Sequence, residues 1–147
     1  MKRCSSLQLI YPIILLGIVL FTGNVMAAGN TFNYITPDET RAKLESGEAM
    51  ALLDIQVEDE YARHHIKGSL ATYAYPVKTD AQKARLDNVI SDLSTNTDLI
   101  VIICPRGGGG AKRTFEYLAS MGINSERMFI LEKGQGGWPY LQFIVSN

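Results

Sequence analysis

The stretch that decides the fold reads Leu99-Ile100-Val101-Ile102-Ile103-Cys104-Pro105-Arg106-Gly107-Gly108-Gly109-Gly110. Its first five residues are all apolar, which is typical of a parallel strand buried on both faces. Residues 111–122, which follow the glycines, have the pattern of a helix. The stretch therefore predicts a strand, a glycine-rich loop and a helix N-terminus, with Cys104 at the carboxyl end of the strand.

This placement gives the Cys104 sulfur surroundings that favour negative charge. The backbone amides of a glycine-rich loop and the N-terminus of a helix both attract anions. A thiolate held there is a nucleophile and can carry a charged sulfur species. A free cysteine is more often an inert core residue, but the adjoining glycine loop favours the chemical role.

The N-terminus has the pattern of a secretory signal peptide. It combines a basic start, an apolar stretch over residues 9–21 and small residues at 25–28,. The apolar stretch is shorter than the about 20 residues of a membrane span, and an uncleaved anchor is the alternative. We expect residues 1–28 to be a signal peptide and residues 29–147 to be one domain. The mature protein is then periplasmic or secreted, with no stable membrane association.

Charge and cysteine content exclude several classes of protein. The net charge of -1 becomes -3 once Lys2 and Arg3 leave with the signal peptide, and a mildly acidic domain lacks the basic surface that nucleic acids require. Because Cys4 is also removed, Cys104 is the one cysteine of the mature chain, and no internal disulfide is expected.

Strand and helix patterns alternate along the mature chain. Thr36, Pro37 and Glu39 predict a capping box that opens a helix ending before Gly47. Candidate strands cover residues 32–35, 50–55, 68–72, 99–103 and 127–131, and candidate helices cover 37–46, 58–63, 80–93 and 111–122, with 138–145 a helix or loop. The alternation predicts a parallel sheet between helices, with ligands at the carboxyl ends of its strands. Cys104, Gln56 and residues 73–75 fall at that edge.

Three segments, taken in order, resemble the rhodanese-like domain family. The first runs from Leu53-Asp54-Ile55-Gln56 to His65-Ile66-Lys67-Gly68-Ser69, and it is similar to that family's Asp-x-Arg and His-Ile-x-Gly-Ala signature. Residues 104–110 are similar to its active-site loop, Cys-x-x-Gly followed by small residues. Residues 131–138 are similar to its closing Leu-x-Gly-Gly-x-x-x-Trp. The resemblance spans residues 34–143, nearly the whole mature chain.

The resemblance implies a three-layer α/β/α fold with a five-stranded parallel sheet, and the activity of a sulfurtransferase. Cys104 would take sulfane sulfur from a small donor such as thiosulfate and pass it, as a persulfide, to a thiol or to cyanide. The loop amides would stabilise the outer sulfur, and the loop arginine would attract an anionic donor or be merely solvated. The substrate-binding candidates are Arg106, Gly107, Gly108, Gly109, Gly110 and Ala111. No cofactor is implied.

Three features depart from the family pattern. Gln56 stands where the family has arginine, which predicts that an ion pair with a nearby carboxylate is missing. Pro105 removes one amide donor beside the sulfur. Residues 108–110 are glycines where the family often has hydroxyl-bearing side chains, which predicts a looser loop.

Other chemistry-bearing residues have structural interpretations. Asp54 is expected to be a structural acid at a strand end, and Trp138 a core anchor. His64 and His65 are adjacent and point apart in an extended segment, so they supply too few ligands for a metal site, and none is predicted. The tyrosines of residues 73–75 either rim the pocket or pack in the core.

Three other functions compete with the sulfurtransferase. A low-turnover persulfide carrier or sensing module would relay sulfur to a protein partner. A phosphatase or arsenate reductase of related fold would need arginine at the sixth position after the cysteine, to clamp an oxyanion, and that position is Gly110. Thioredoxin-like exchange would need a second cysteine. The sequence leaves the sulfur donor, the acceptor and the oligomeric state open.

Overall fold

The computed structural model describes residues 31–146, and the predicted signal peptide lies outside the described residues. The strands are β1 (Tyr34–Ile35), β2 (Met50–Asp54), β3 (His65–Ile66), β4 (Leu70–Ala71), β5 (Leu99–Ile103), β6 (Met128–Leu131) and β7 (Ile144–Val145). The helices are α1 (Pro37–Ser46), α2 (Glu58–Arg63), α3 (Asp80–Thr95) and α4 (Gly109–Ser120). None of these helices is long and apolar enough to cross a membrane.

Five strands form one parallel sheet in the order β1-β6-β5-β2-β4. The central strand β5 pairs along its whole length with β2, from Leu99 opposite Met50 to Ile103 opposite Asp54. The predicted five-stranded parallel sheet is therefore confirmed. Because β5 is central, Cys104 emerges in the middle of the carboxyl edge of the sheet.

The side chains of β5 supply two hydrophobic cores, one on each face of the sheet. Ile100 and Ile102 pack with residues of α3 and α4. Val101 and Ile103 pack on the opposite face, with Trp138 and with residues of α1 and the C-terminal segment. Successive side chains of a strand point to opposite faces, so a fully apolar strand is the one that both layers can cover. This confirms the three-layer α/β/α arrangement.

The predicted capping box of α1 is present. The Thr36 Oγ1 accepts a hydrogen bond from the Glu39 backbone N–H at 3.1 Å, and Glu39 Oε2 accepts one from the Thr36 backbone N–H at 3.0 Å. The helix ends at Gly47, whose φ of 71° is the left-handed conformation of a glycine C-cap,. Local side-chain chemistry thus sets both ends of this helix.

Three elements differ from the sequence prediction. Strand β3 (His65–Ile66) lies outside every candidate strand. Helix α4 begins at Gly109, two residues before the predicted start at residue 111, because the first helical turn needs no side chain to form. The segment 138–145, predicted as a helix or loop, contains β7, which pairs antiparallel with β3. Such a two-residue strand forms through a distant partner and has no periodicity of its own.

Helix α4 is held by side chains that are fully removed from water. Leu118 is 0% exposed, so Leu118→Ala should lower the free energy of unfolding by about 2–5 kcal/mol through lost burial and a residual cavity. The matched control is Leu141→Ala at a residue 79% exposed, which should change it by less than about 0.5 kcal/mol. Urea unfolding followed by circular dichroism measures both, and equal losses would contradict this packing.

Candidate active site

The carboxyl end of β5 is joined by its backbone to the turn after β6. The Gln135 N–H donates to the Cys104 carbonyl oxygen at 2.8 Å, and the Gly136 N–H donates to the Pro105 carbonyl oxygen at 3.0 Å. Gly134 lies at this junction with a φ of 58°, and a Cβ there would overlap the Cys104 carbonyl oxygen. The start of the cysteine loop (residues 104–110) is therefore fixed by main-chain contacts that admit only glycine at this position.

The cysteine loop leaves a run of backbone amides free. Within residues 31–146, no N–H group of residues 106–111 donates to a backbone acceptor, whereas the next amide, that of Lys112, donates to the Gly108 carbonyl at 3.2 Å. Three of the six amides lie in the first turn of α4, where a helix has no internal acceptors for them. A loop and a helix N-terminus with consecutive free amides form a site that favours anions.

Cys104 opens into a small cavity, here called the cysteine pocket, of about 170 Å³. Its wall consists of Tyr75, Cys104, Arg106, Gly108, Gly109 and Gly110. The thiol is free, and its residue is only 1% exposed. The sulfur is therefore shielded from bulk water while it faces a pocket of small-anion size.

Four of the six predicted substrate-binding residues lie in the wall of the cysteine pocket, and two do not. Gly107 is pressed against the turn after β6, since a Cβ there would lie 2.7 Å from the Lys133 nitrogen. Ala111 belongs to α4, and its side chain is buried in the first hydrophobic core. Arg106 is exposed and makes no ion pair with any residue that the structure describes.

Tyr75 fills the space that the glycines of the loop leave open. A Cβ on Gly110 would lie 2.8 Å from the Tyr75 ring, so the ring occupies the volume of the absent side chain. The other tyrosine of this segment, Tyr73, packs edge-to-face on Tyr61 with ring centroids 5.8 Å apart. Of the two, Tyr75 is the one that rims the pocket.

A second cavity of about 310 Å³, here called the side pocket, adjoins the cysteine pocket and shares Tyr75 and Arg106 with it. The rest of its wall is formed by Gln56, Glu60, Arg63, His64, Pro105 and Gly136. Sequence reasoning missed Glu60 and Arg63 as site residues, because the acidic turn before α2 predicted only a helix. The signal that could have found them is that α2 follows β2 directly, at the carboxyl edge of the sheet.

Gln56 bonds the Asp54 carboxylate and gives it no countercharge. Asp54 Oδ1 accepts from the Gln56 backbone N–H at 2.8 Å, and Oδ2 accepts from the Gln56 side-chain Nε2 at 3.1 Å. Among the described residues, neither Asp54 nor Glu60 forms an ion pair, and Glu60 Oε2 is buried without a hydrogen-bond partner. The ion pair that the sequence predicted to be missing is absent from this part of the chain.

Burial raises the pKa of Asp54 from 3.8 to about 6, against the opposing effect of the Gln56 hydrogen bonds. The residue is completely buried at the carboxyl end of β2, the position from which the sequence predicted a structural acid. Desolvation of the carboxylate, together with the like charge of Glu60, outweighs its two hydrogen bonds and the attraction of His65,.

The two histidines lie in different surroundings, one buried and one exposed. The His65 ring is buried and stacked on the Tyr61 ring, with centroids 3.7 Å apart, and its Nδ1 lies 2.8 Å from the Tyr61 carbonyl oxygen. His64 is exposed and lines the side pocket. In residues 31–146 there is no group of three or more histidine, cysteine, aspartate or glutamate side chains placed to hold a metal ion.

Trp138 is buried in the second core, as expected.

A shielded thiol at the end of a central parallel strand, followed by a glycine-rich loop and a helix N-terminus, is an arrangement suited to holding an anion or a charged sulfur species. The sequence over residues 36–139 matches the rhodanese-like domain family. The chain belongs to this family. No curated protein sequence matches the chain.

Solved structures with the same fold belong to proteins of several kinds. A yeast protein tyrosine phosphatase of the rhodanese family is 15% identical, covers 80% of this chain and 94% of its own, and superposes with a TM-score of 0.62. An As-Sb reductase from Leishmania major is 15% identical, with coverages of 79% and 86% and a TM-score of 0.63. A rhodanese-like domain from an Anabaena protein is 18% identical, with coverages of 80% and 81% and a TM-score of 0.62. At these identities the likeness establishes the fold.

Replacement of Asp54 tests whether burial raises the pKa of its carboxyl group. The folded protein holds this proton to a higher pH than the unfolded chain does, so the free energy of unfolding falls as pH rises from about 4 to about 6. The Asp54→Asn variant lacks this titration, and its stability relative to the wild type should rise by about 2 kcal/mol between pH 4 and pH 7. Denaturant unfolding at several pH values measures the difference. Asp59→Asn at an exposed aspartate is the matched control, and a pH-independent difference for Asp54→Asn would contradict the assignment.

The steric constraint at Gly134 is tested by comparing alanine variants at two glycines that both have a positive φ. Gly134→Ala should cost more than about 3 kcal/mol, because the methyl group overlaps main-chain atoms in addition to the cost of a left-handed φ. Gly122 also has a positive φ, 91°, but nothing lies within 4 Å of an added Cβ. Gly122→Ala should therefore cost only about 1–2 kcal/mol. Thermal unfolding compares them, and equal losses would show that the junction is not a steric constraint.

Proposed function

We propose that the chain is an exported sulfurtransferase that moves sulfane sulfur from a small anionic donor, such as thiosulfate, to a thiol or cyanide acceptor through a persulfide on Cys104. The observation that carries the proposal is the run of free amides at residues 106–111 beside a shielded thiol. These donors are fixed before any reaction, so they stabilise charge on sulfur without reorganisation. Membership of the rhodanese-like family supports the same activity.

In the loading step, the Cys104 thiolate attacks the outer, sulfane sulfur of thiosulfate. A bond forms between the cysteine sulfur and the sulfane sulfur, and the sulfur–sulfur bond of thiosulfate breaks with its electron pair leaving on sulfite. The cysteine pocket, at about 170 Å³, holds roughly six water volumes, enough for this anion. Arg106, which has no ion-pair partner among the described residues, attracts the donor to the mouth of the pocket,.

In the discharge step, a nucleophile attacks the outer sulfur of the persulfide. The sulfur–sulfur bond breaks and its electron pair returns to the cysteine, so that the thiolate is regenerated and the product is thiocyanate or an organic persulfide. No external oxidant or reductant is consumed. The free amides stabilise the outer sulfur of the persulfide between the two steps and shield it from water.

Phosphatase and reductase functions, suggested by the names of two structural neighbours, fit this chain less well. The sixth position after Cys104 is Gly110, so the loop has no guanidinium there to clamp a phosphoryl or arsenate oxyanion in a bidentate manner. The Tyr75 ring also occupies the space beside Gly110. Both features favour a donor held by main-chain amides.

The persulfide is tested by intact mass. Incubation of the purified protein with thiosulfate should add one sulfur, about 32 mass units, in wild type and not in Cys104→Ser. If the signal peptide is removed, the same spectrum should give the mass of a chain that begins after Ala27 or Ala28. An adduct that persists in Cys104→Ser would contradict the proposed site, and a mass that retains residues 1–28 would contradict removal of the signal.

Turnover separates an enzyme from a low-turnover carrier that relays sulfur to a protein partner. With excess thiosulfate and cyanide, a sulfurtransferase forms many equivalents of thiocyanate per chain, while a carrier forms about one. We expect multiple turnovers that stop in Cys104→Ser. A single equivalent from the wild type would contradict the enzymatic assignment and favour the carrier.

A further inference from the structure

The side pocket opens onto the reacting sulfur. It shares Tyr75 and Arg106 with the cysteine pocket, and Pro105, the residue that follows the nucleophile, lies in its wall. Its volume of about 310 Å³ is nearly twice that of the cysteine pocket. A sulfur donor of thiosulfate size is accommodated without it. The side pocket is therefore free to hold the body of a larger acceptor whose thiol reaches the persulfide.

The walls of the side pocket carry unpaired charges of both signs. Arg63 and Arg106 make no ion pair with the described residues, and neither does Glu60. Glu60 and Arg63 are three residues apart on α2, a spacing that places side chains on the same side of a helix, yet they do not pair. One oxygen of Glu60 is buried with no hydrogen-bond partner. Buried polar groups are normally satisfied, so this carboxylate favours a donor that a ligand would bring.

Gln56 does not compensate the charge of Glu60. Its neutral side-chain amide donates to Asp54 and to the His64 carbonyl oxygen, at 3.1 and 3.3 Å, and offers nothing to Glu60. Among residues 31–146, Glu60 is thus an uncompensated carboxylate in the wall of the side pocket. A positive charge carried by a ligand would offset it.

We infer that the side pocket binds the sulfur acceptor and selects a small thiol that carries both a carboxylate and an ammonium group, of the amino-acid type. Arg63 binds the carboxylate, Glu60 binds the ammonium, and Arg106 remains with the anionic sulfur at the junction of the two pockets. This inference rests on the proposed function. In the transfer, the acceptor thiolate bonds to the outer sulfur of the persulfide and the cysteine thiolate leaves.

Three acceptor thiols of similar size test the carboxylate and the ammonium group separately. Protein loaded with thiosulfate and freed of excess donor is mixed with L-cysteine, with cysteamine, which lacks the carboxylate, or with 3-mercaptopropionate, which lacks the ammonium. Loss of the one-sulfur adduct is followed by mass spectrometry, and each rate is corrected for the fraction of thiol present as thiolate. L-cysteine should discharge the persulfide about tenfold faster than either analogue, the effect of one charge-assisted hydrogen bond at a partly exposed site.

Variants assign each charge through a ratio of rates within one protein, so partial loss of folded protein does not affect the result. Arg63→Gln should bring the ratio of L-cysteine to cysteamine close to one. Glu60→Gln should do the same for the ratio of L-cysteine to 3-mercaptopropionate. Lys67→Gln, an exposed charge outside both pockets, is the matched control and should leave both ratios unchanged.

The outcomes distinguish the inference from the function on which it rests. If thiosulfate loads Cys104 and cyanide discharges it, but the three thiols react at equal corrected rates, the selectivity is overturned while the sulfurtransferase stands. Ratios that stay near tenfold in both variants overturn the assignment to Arg63 and Glu60. If no adduct forms, the proposed function itself fails, and the inference fails with it.

Discussion

The contact on which the site depends is the main-chain junction between the end of β5 and the turn after β6. Two amides of that turn, those of Gln135 and Gly136, bond the carbonyl oxygens of Cys104 and Pro105. The carbonyls at the start of the loop are thereby bonded, while the amides of residues 106–111 donate to no backbone acceptor within residues 31–146. The polarity of the loop around the sulfur is a consequence of which backbone groups are already bonded.

A site built from main-chain donors explains how the loop tolerates so many glycines. Side-chain hydroxyls are absent from residues 107–110, but backbone amides are present at each of them, and Pro105 removes only the first. The Tyr75 ring closes the space beside Gly110, so the loop is packed from outside rather than from its own side chains. The expected looseness is reduced by this contact and by the junction at Gly134. In the same region, Gln56 bonds Asp54 without offering a charge, and neither Asp54 nor Glu60 forms an ion pair within the described part of the chain.

The sequence allowed the sheet and the position of Cys104 to be predicted, because both depend on local patterns. The apolar run 99–103 fits only a central strand, and the Thr36 capping box fixes where α1 begins. The contacts that shape the pockets could not be predicted in this way. Tyr75 meets Gly110 across 35 residues of chain, and the junction at Gly134 consists of backbone atoms that no side-chain pattern reveals. Strand β7 forms only against β3, and the burial of Glu60 Oε2 depends on the packing of α2.

The central claim, that free main-chain amides hold the sulfur bound to Cys104, is tested most directly by amide NMR. Spectra of uniformly ¹⁵N-labelled protein are recorded before and after loading with thiosulfate, and intact mass confirms the added sulfur. The account predicts downfield shifts and slower hydrogen exchange for amides of residues 106–111, with the amides of Gln135 and Gly136 little changed. A loaded protein whose loop amides keep their shifts and exchange rates would contradict it.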